Sequence, residues 1–191
     1  MKNQILTAVV FIIIGVLTRT VLHIGPNFET ITAISVLSGY MFKNKKLAMV
    51  VPAVAMLISD LILGNSNIFL FTWSAYIVMP LIGGLVNKLK SSKTIVKLFA
   101  LEGVGLLSVV IFFLWTNFGV VITTSMYEKS LAGVIASYVN GLPFVKPQLF
   151  STVVAIPVLF IVVALIKHIK FNVQHANKTV VASSAVSIQK V

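Results

Sequence analysis

Between Leu47 and Gly64 the chain reads Leu-Ala-Met-Val-Val-Pro-Ala-Val-Ala-Met-Leu-Ile-Ser-Asp-Leu-Ile-Leu-Gly. A run of that length and apolarity can cross a bilayer as a helix. Comparable runs recur at 5–22, 28–42, 68–86, 95–115 and 149–169. Of 191 residues, 58% are hydrophobic and 10% charged, whereas a soluble domain carries about a quarter charged residues. Lipid is therefore the solvent for most of the chain. The fold class expected is all-α, with six transmembrane helices in a single membrane domain over 1–170. A polar, flexible cytoplasmic tail is expected over 171–191.

The net charge of +11 could suggest nucleic acid, but the positions of the lysines decide against it. All but Arg19, Lys129 and Lys146 of the 15 basic residues fall at the termini or in the loops 43–46 and 88–97. Those segments share one side of a six-crossing chain. The positive-inside rule then puts both termini in the cytoplasm. The same lysines can touch anionic lipid headgroups. Cysteine is absent, which excludes disulfides and thiolate metal sites.

Local signals refine this frame. Asn27 is expected to cap the second helix, with Glu29 in its first turn at the positive end of the dipole. Thr18-Arg19-Thr20 closes the first run and argues for a retained span rather than a signal peptide. The long outer connection from 116 to 148 holds Ser125-Met126-Tyr127-Glu128, a capping-box pattern. Leu131, Val134, Ile135 and Tyr138 follow at helical spacing. Asn140-Gly141 and Pro143 read as a stop. A short amphipathic helix over 126–139 is therefore expected between helices five and six, either resting on headgroups or forming a lid.

Few residues can carry chemistry at membrane depth, because ionisable groups there are costly. Arg19 and Asp60 each lie about one turn inside the outer surface, on helices running in opposite directions. They are expected to pair, either as a structural ion pair or as a pair that polarises a substrate. Around that level gather Asn27, Phe28 and Thr30, then Asn65 and Asn67, then Trp73 and Tyr76. Trp115, Thr116 and Asn117 follow, then Tyr138, Asn140, Pro143 and Phe144. The aromatics suit a membrane-interface belt; the asparagines, which donate and accept, suit a small polar ligand. Substrate-binding candidates are thus Asn27, Phe28, Thr30, Asp60, Trp73, Tyr76, Asn117, Tyr138 and Asn140.

Glu102 lies about two turns from the cytoplasmic end of the fifth run. It is either paired with a snorkelling lysine such as Lys97, held neutral, or a proton-coupling carboxylate. His23, His168 and His175 stand at or beyond span ends without a second ligand at useful spacing. No Ser-His-acid set, paired carboxylates or phosphate-binding loop is visible. The sequence points to no enzyme, cofactor or metal.

Arg19, Pro26-Asn27-Phe28-Glu29-Thr30-Ile31 and Ser59-Asp60 with Gly64 resemble the first half of a group of small uncharacterised bacterial membrane proteins. Trp115-Thr116-Asn117-Phe118-Gly119, Tyr127, Gly133, Ser137-Tyr138 and Leu142-Pro143-Phe144 resemble its outer connection. That group resembles the substrate-binding S components of energy-coupling factor (ECF) transporters. The resemblance covers 19 to about 165. It implies six helices, termini inside, an outward pocket for a small, vitamin-like solute, and a scaffold subunit with ATPases as partners. S components dock through small residues spaced by four on the first helix. Here Ala8 is followed by Ile12, and Gly15 is preceded by Phe11, so that docking motif is not matched. Three functions compete: a substrate-capture subunit for uptake, a proton-coupled secondary carrier using Asp60 or Glu102, and a non-transport scaffold. Only the first requires an outward pocket around Asn27, Trp73, Asn117 and Asn140.

Overall fold

The computed structural model describes the backbone of residues 2–22, 25, 27–64, 67–90 and 93–188, and within these the side chains from 4 to 166. Among the described residues six α-helices follow one another: α1 (Lys2–Thr20), α2 (Ile31–Met41), α3 (Lys45–Leu63), α4 (Phe69–Gly83), α5 (Thr94–Thr123) and α6 (Leu131–Ile188). A 3-10 segment, Gly84–Lys88, extends α4. There is no strand among the described residues. The chain forms two units, Met1–Leu159 and Phe160–Val191. The first holds everything discussed below, and the second is helical as far as Ile188. The side chains of the expected tail lie outside the described residues.

Four helical stretches are long and apolar enough to cross a membrane: Lys45–Leu63, Phe69–Lys88, Thr94–Thr123 and Leu131–Ile166. The other two are shorter, Gln4–Thr20 and Ile31–Met41. With 11 residues, α2 is only about 16 Å long, half of a hydrocarbon core of about 30 Å. The apolar run at 28–42 thus over-predicts its helix. Residues 27–30 are irregular, and Asn27 sits at φ 58°, a conformation that asparagine tolerates better than most residues. The cap position belongs to Thr30, and no side chain caps the helix there. Glu29 is recruited elsewhere, so the expected roles of Asn27 and Glu29 at this terminus are not the observed ones.

α2 is nonetheless the centre of the bundle. Every residue from Ile31 to Gly39 is buried, and it packs on α1, α3, α4 and α5. Its contact with α4 is backbone on backbone. A Cβ on Gly39 would collide with the Pro80 carbonyl, and one on Gly83 with the Val36 carbonyl. Two glycines, one from each helix, therefore let the axes approach. The faces turned away from this centre carry Leu61, Leu70, Phe99 and Phe150, all well exposed, as lipid-facing surfaces require.

The connection between α5 and α6 differs from the expected loop helix. Residues 124–130 are non-helical, and Ser130, not Ser125, caps the next helix: the Gly133 N–H donates to Ser130 Oγ at 3.2 Å. The segment 131–139 is the start of α6, which continues through Asn140-Gly141 and past Pro143, Pro147 and Pro157. Gly141 is not a stop. It makes room for Asn117, whose Oδ1 presses where a side chain would sit. Proline is tolerated inside helices of packed apolar bundles, where neighbouring groups can re-satisfy the freed backbone.

Candidate functional site

Arg19 ends α1 and reaches across to two other elements. Its Nε lies 2.8 Å from Glu29 Oε2, and its Nη1 lies 2.8 Å from Asp60 Oδ1. Nη1 also donates to Ser59 Oγ at 2.5 Å and meets Met56 Sδ at 3.0 Å. α4 completes the set from the far side. Trp73 Nε1 donates to Asp60 Oδ2 at 2.7 Å, and the Tyr76 hydroxyl donates to Glu29 Oε1 at 2.6 Å. Every carboxylate oxygen of the trio thus holds a donor. The side chains of Arg19, Glu29 and Asp60 are 17%, 15% and 9% exposed. Ions so far from water survive because each is paired and hydrogen-bonded. The hydroxyls of Thr18 and Thr30, 2.9 Å apart, tie α1 to the start of α2 beside them.

The expected Arg19–Asp60 pair is present, but it is two-thirds of a triad. Glu29 was legible as an acid, not as a partner, because Gly25-Pro26-Asn27 marks a turn without saying which helix the turn swings Glu29 toward. Ser59 and Met56 follow from Asp60 by helical spacing, one residue and one turn back. Asp60 and Trp73 line neither of the cavities described next; they hold Arg19 in place.

Two cavities adjoin this network. The first, of about 290 Å³, lies between α4, α5, α6 and the segments before α2 and α6. Asn27, Asn117, Asn140 and Gln148 supply amides to its wall; Phe112, Phe113 and Phe144 supply rings. Thr116 lines it, and Met126 and Tyr127 come from the 124–130 segment. The amides are steered by bonds to the protein: Asn27 Nδ2 donates to the Phe144 carbonyl at 3.5 Å, and Asn117 Oδ1 accepts from Ser137 Oγ at 3.5 Å. Asn117 Nδ2 donates to the Phe113 carbonyl at 2.8 Å, Asn140 Nδ2 to the Tyr127 hydroxyl at 3.3 Å, and Gln148 Nε2 to Thr32 Oγ1 at 3.2 Å. An amide has two N–H groups and a carbonyl, so these bonds orient each one without using it up. The second cavity, of about 260 Å³, is walled by Arg19 and Glu29 together with Phe28, Tyr76 and Phe112. Asn27, Thr72 and Phe112 line both cavities.

The sequence-named residues therefore divide. Asn27, Asn117 and Asn140 meet at the first cavity; Asn27, Phe28 and Tyr76 meet at the second. Thr30 serves the Thr18 contact. Tyr138 meets the Phe113 ring in a tilted contact, centroids 5.7 Å apart, and donates to the Leu114 carbonyl at 3.0 Å, outside both walls. Trp115 donates to Ser74 at 2.9 Å and borders an apolar groove on α4 and α5. Asn65 lies outside the described residues. Gln148, Thr72, Ser137 and Phe112 were not foreseen. Gln148 had a signal: an amide in an apolar helix, 2% exposed.

Glu102 makes no ion pair among the described residues, where both ion pairs are Arg19's. Its Oε2 is buried without a hydrogen-bond partner there, so the expected lysine partner is not seen. No group of three metal-ligating side chains occurs among the described residues.

A bundle of apolar helices with an ion triad and a polar-aromatic cavity defines a multi-pass helical membrane protein. The chain belongs to DUF6580, a family of unknown function whose model matches residues 1–176. No curated protein and no solved structure matches it, and the resemblance to ECF S components gains no support from these comparisons.

Proposed function

We propose that the chain captures a small solute at one face of the membrane for uptake, in the manner of an S component. The observation that carries this is the 290 Å³ cavity, which joins oriented amides to aromatic walls. That mixture of mostly apolar lining and a few placed polar groups is how proteins hold small polar molecules. A scaffold would need no such cavity.

On this reading the chain crosses the plasma membrane of a bacterium six times, with both termini cytoplasmic. α2 completes its pass together with the irregular segment before it, shielded by neighbouring helices as non-helical backbone at membrane depth must be. The cavities then open outward, because residues 27, 117 and 140 lie toward the α1–α2 and α5–α6 connections, opposite the lysine-rich loops. The function involves no catalysis. Partners are a small, vitamin-like solute, surrounding lipids, and a scaffold subunit with ATPases. The unmatched motif on α1 leaves a solitary carrier as the other arrangement.

The test is co-purification of the tagged protein, followed by mass spectrometry of bound proteins and bound small molecules. ATPases and scaffold together with a retained solute support capture. An empty cavity in protein that binds no solute from an extract would sink it. A second reading, proton-coupled carriage, is favoured by one observation: the unpartnered Glu102 Oε2, as a protonatable group would have. It requires uptake driven by a pH gradient and lost in Glu102→Gln.

A further inference from the structure

We infer that the Arg19–Glu29 cavity selects a positively charged group, so that the captured solute is an organic cation whose uncharged end lies among the amides. This rests on the capture reading. Asn27, Thr72 and Phe112 line both cavities, so the two spaces adjoin, and on this inference one molecule spans them. The two ends of that space differ in charge. The amide cavity is neutral in its lining. The other borders a triad with one guanidinium and two carboxylates, a formal charge of −1. Among the described residues no second cation lines it.

A net charge held away from water is costly unless a counter-charge joins it. An entering anion would meet a guanidinium whose Nε and Nη1 are engaged by Glu29, Asp60 and Ser59, with the Glu29 carboxylate on the same wall. An entering cation neutralises the excess. The rings of Phe28, Tyr76 and Phe112 line the same cavity, and ring faces attract cations. A metal ion fits less well, since its two carboxylates would be shared with Arg19 and no third ligand stands near among the described residues.

The absence of cysteine allows a direct measurement of the potential. Thr72→Cys places a thiol on the shared wall, and Ser137→Cys places one on the amide cavity alone. Each purified variant in lipid nanodiscs is treated with a cationic (trimethylammonioethyl) and an anionic (sulfonatoethyl) methanethiosulfonate. Both reagents attack the thiolate, so thiol ionisation cancels in the ratio of their rates. The cation-to-anion ratio at Thr72→Cys should exceed that at Ser137→Cys by about tenfold or more, as expected for a unit charge in a poorly screened site. Adding Glu29→Gln should bring the two ratios together. Benzylammonium should protect the Thr72→Cys thiol, whereas benzyl alcohol and benzoate of the same shape should not. Equal ratios, anion preference, or protection by benzoate would overturn the inference. A thiol unreactive at 72 but reactive at 137 would overturn it and leave capture standing; no reaction at either would remove both. If Thr72→Cys does not yield monodisperse protein, Asn27→Cys samples the same wall.

Discussion

Arg19 Nε and Glu29 Oε2 lie 2.8 Å apart, joining the last turn of α1 to the irregular segment that leads into α2. With Asp60 on the other edge of the guanidinium, this contact makes Arg19 the single cation between two carboxylates. The asymmetry has consequences for substitution.

Replacing either carboxylate leaves a neutral pair, while replacing the cation leaves two buried like charges. Arg19→Gln should therefore cost about 3–5 kcal/mol, the range for stranding buried charge. Asp60→Asn and Glu29→Gln should cost about 1–3 kcal/mol each, the worth of hydrogen bonds to charged groups. Thermal unfolding of the purified variants in one detergent gives the order. Equal losses for all three would mean that the triad is not the electrostatic unit described.

The glycines sort by what surrounds them. Gly39→Ala and Gly83→Ala force a methyl against a carbonyl of the facing helix and should destabilise by about 1–3 kcal/mol, as overpacking does. Gly103 has nothing within 4 Å of the position its Cβ would take and lies inside α5. Gly103→Ala should then stabilise by about 0.5–1 kcal/mol through helix propensity alone. Comparing unfolding midpoints of the three variants checks the close approach of α2 and α4.

Single cysteines in this cysteine-free chain read the topology. Asn140→Cys and Tyr127→Cys should react in intact cells with a membrane-impermeant maleimide. Lys45→Cys and Lys90→Cys should react only after permeabilisation. Labelling of all four from outside would contradict the proposed six-crossing arrangement.

The amide wall should govern retention of the solute. Asn117→Leu and Asn140→Leu keep approximate side-chain volume and remove the polar atoms, and each should lower the bound fraction by about tenfold, the effect of about 1.4 kcal/mol. Tyr138→Phe, outside both cavities, should leave it unchanged. The measurement is the amount of small molecule released from equal quantities of purified protein. An unchanged amount in both leucine variants would show that the amides do not hold the solute.

Much of this was legible in the chain. Four long apolar segments, lysines confined to particular loops, and an arginine and an aspartate at matched depth need only composition, period and length. Asn27, Asn117 and Asn140 could be grouped because each lies next to an end of an apolar run or of the expected loop helix on the same side, even though Asn117 and Asn140 prove to lie inside α5 and α6. Other features misled. Gly141 and Pro143 read as a helix stop, yet Gly141 answers a neighbouring asparagine, and a proline's lost hydrogen bond can be compensated inside a bundle. The run at 28–42 reads as helical throughout, yet only Ile31–Met41 is helix, because the apolarity of this run reports burial by protein and not helix length.

Hydropathy and charge placement therefore determined that this is a helical membrane protein, because the cost of polar groups in lipid acts on each residue separately. Tertiary structure alone decided that Glu29 joins Arg19, that Trp73 and Tyr76 serve the triad, and that Gln148 and Thr72 complete the cavities. Those outcomes depend on which helix faces meet, a property of pairs of segments distant in sequence. The physical reason is that a hydrogen bond or an ion pair needs ångström proximity, and no periodicity within one helix encodes the identity of its neighbour.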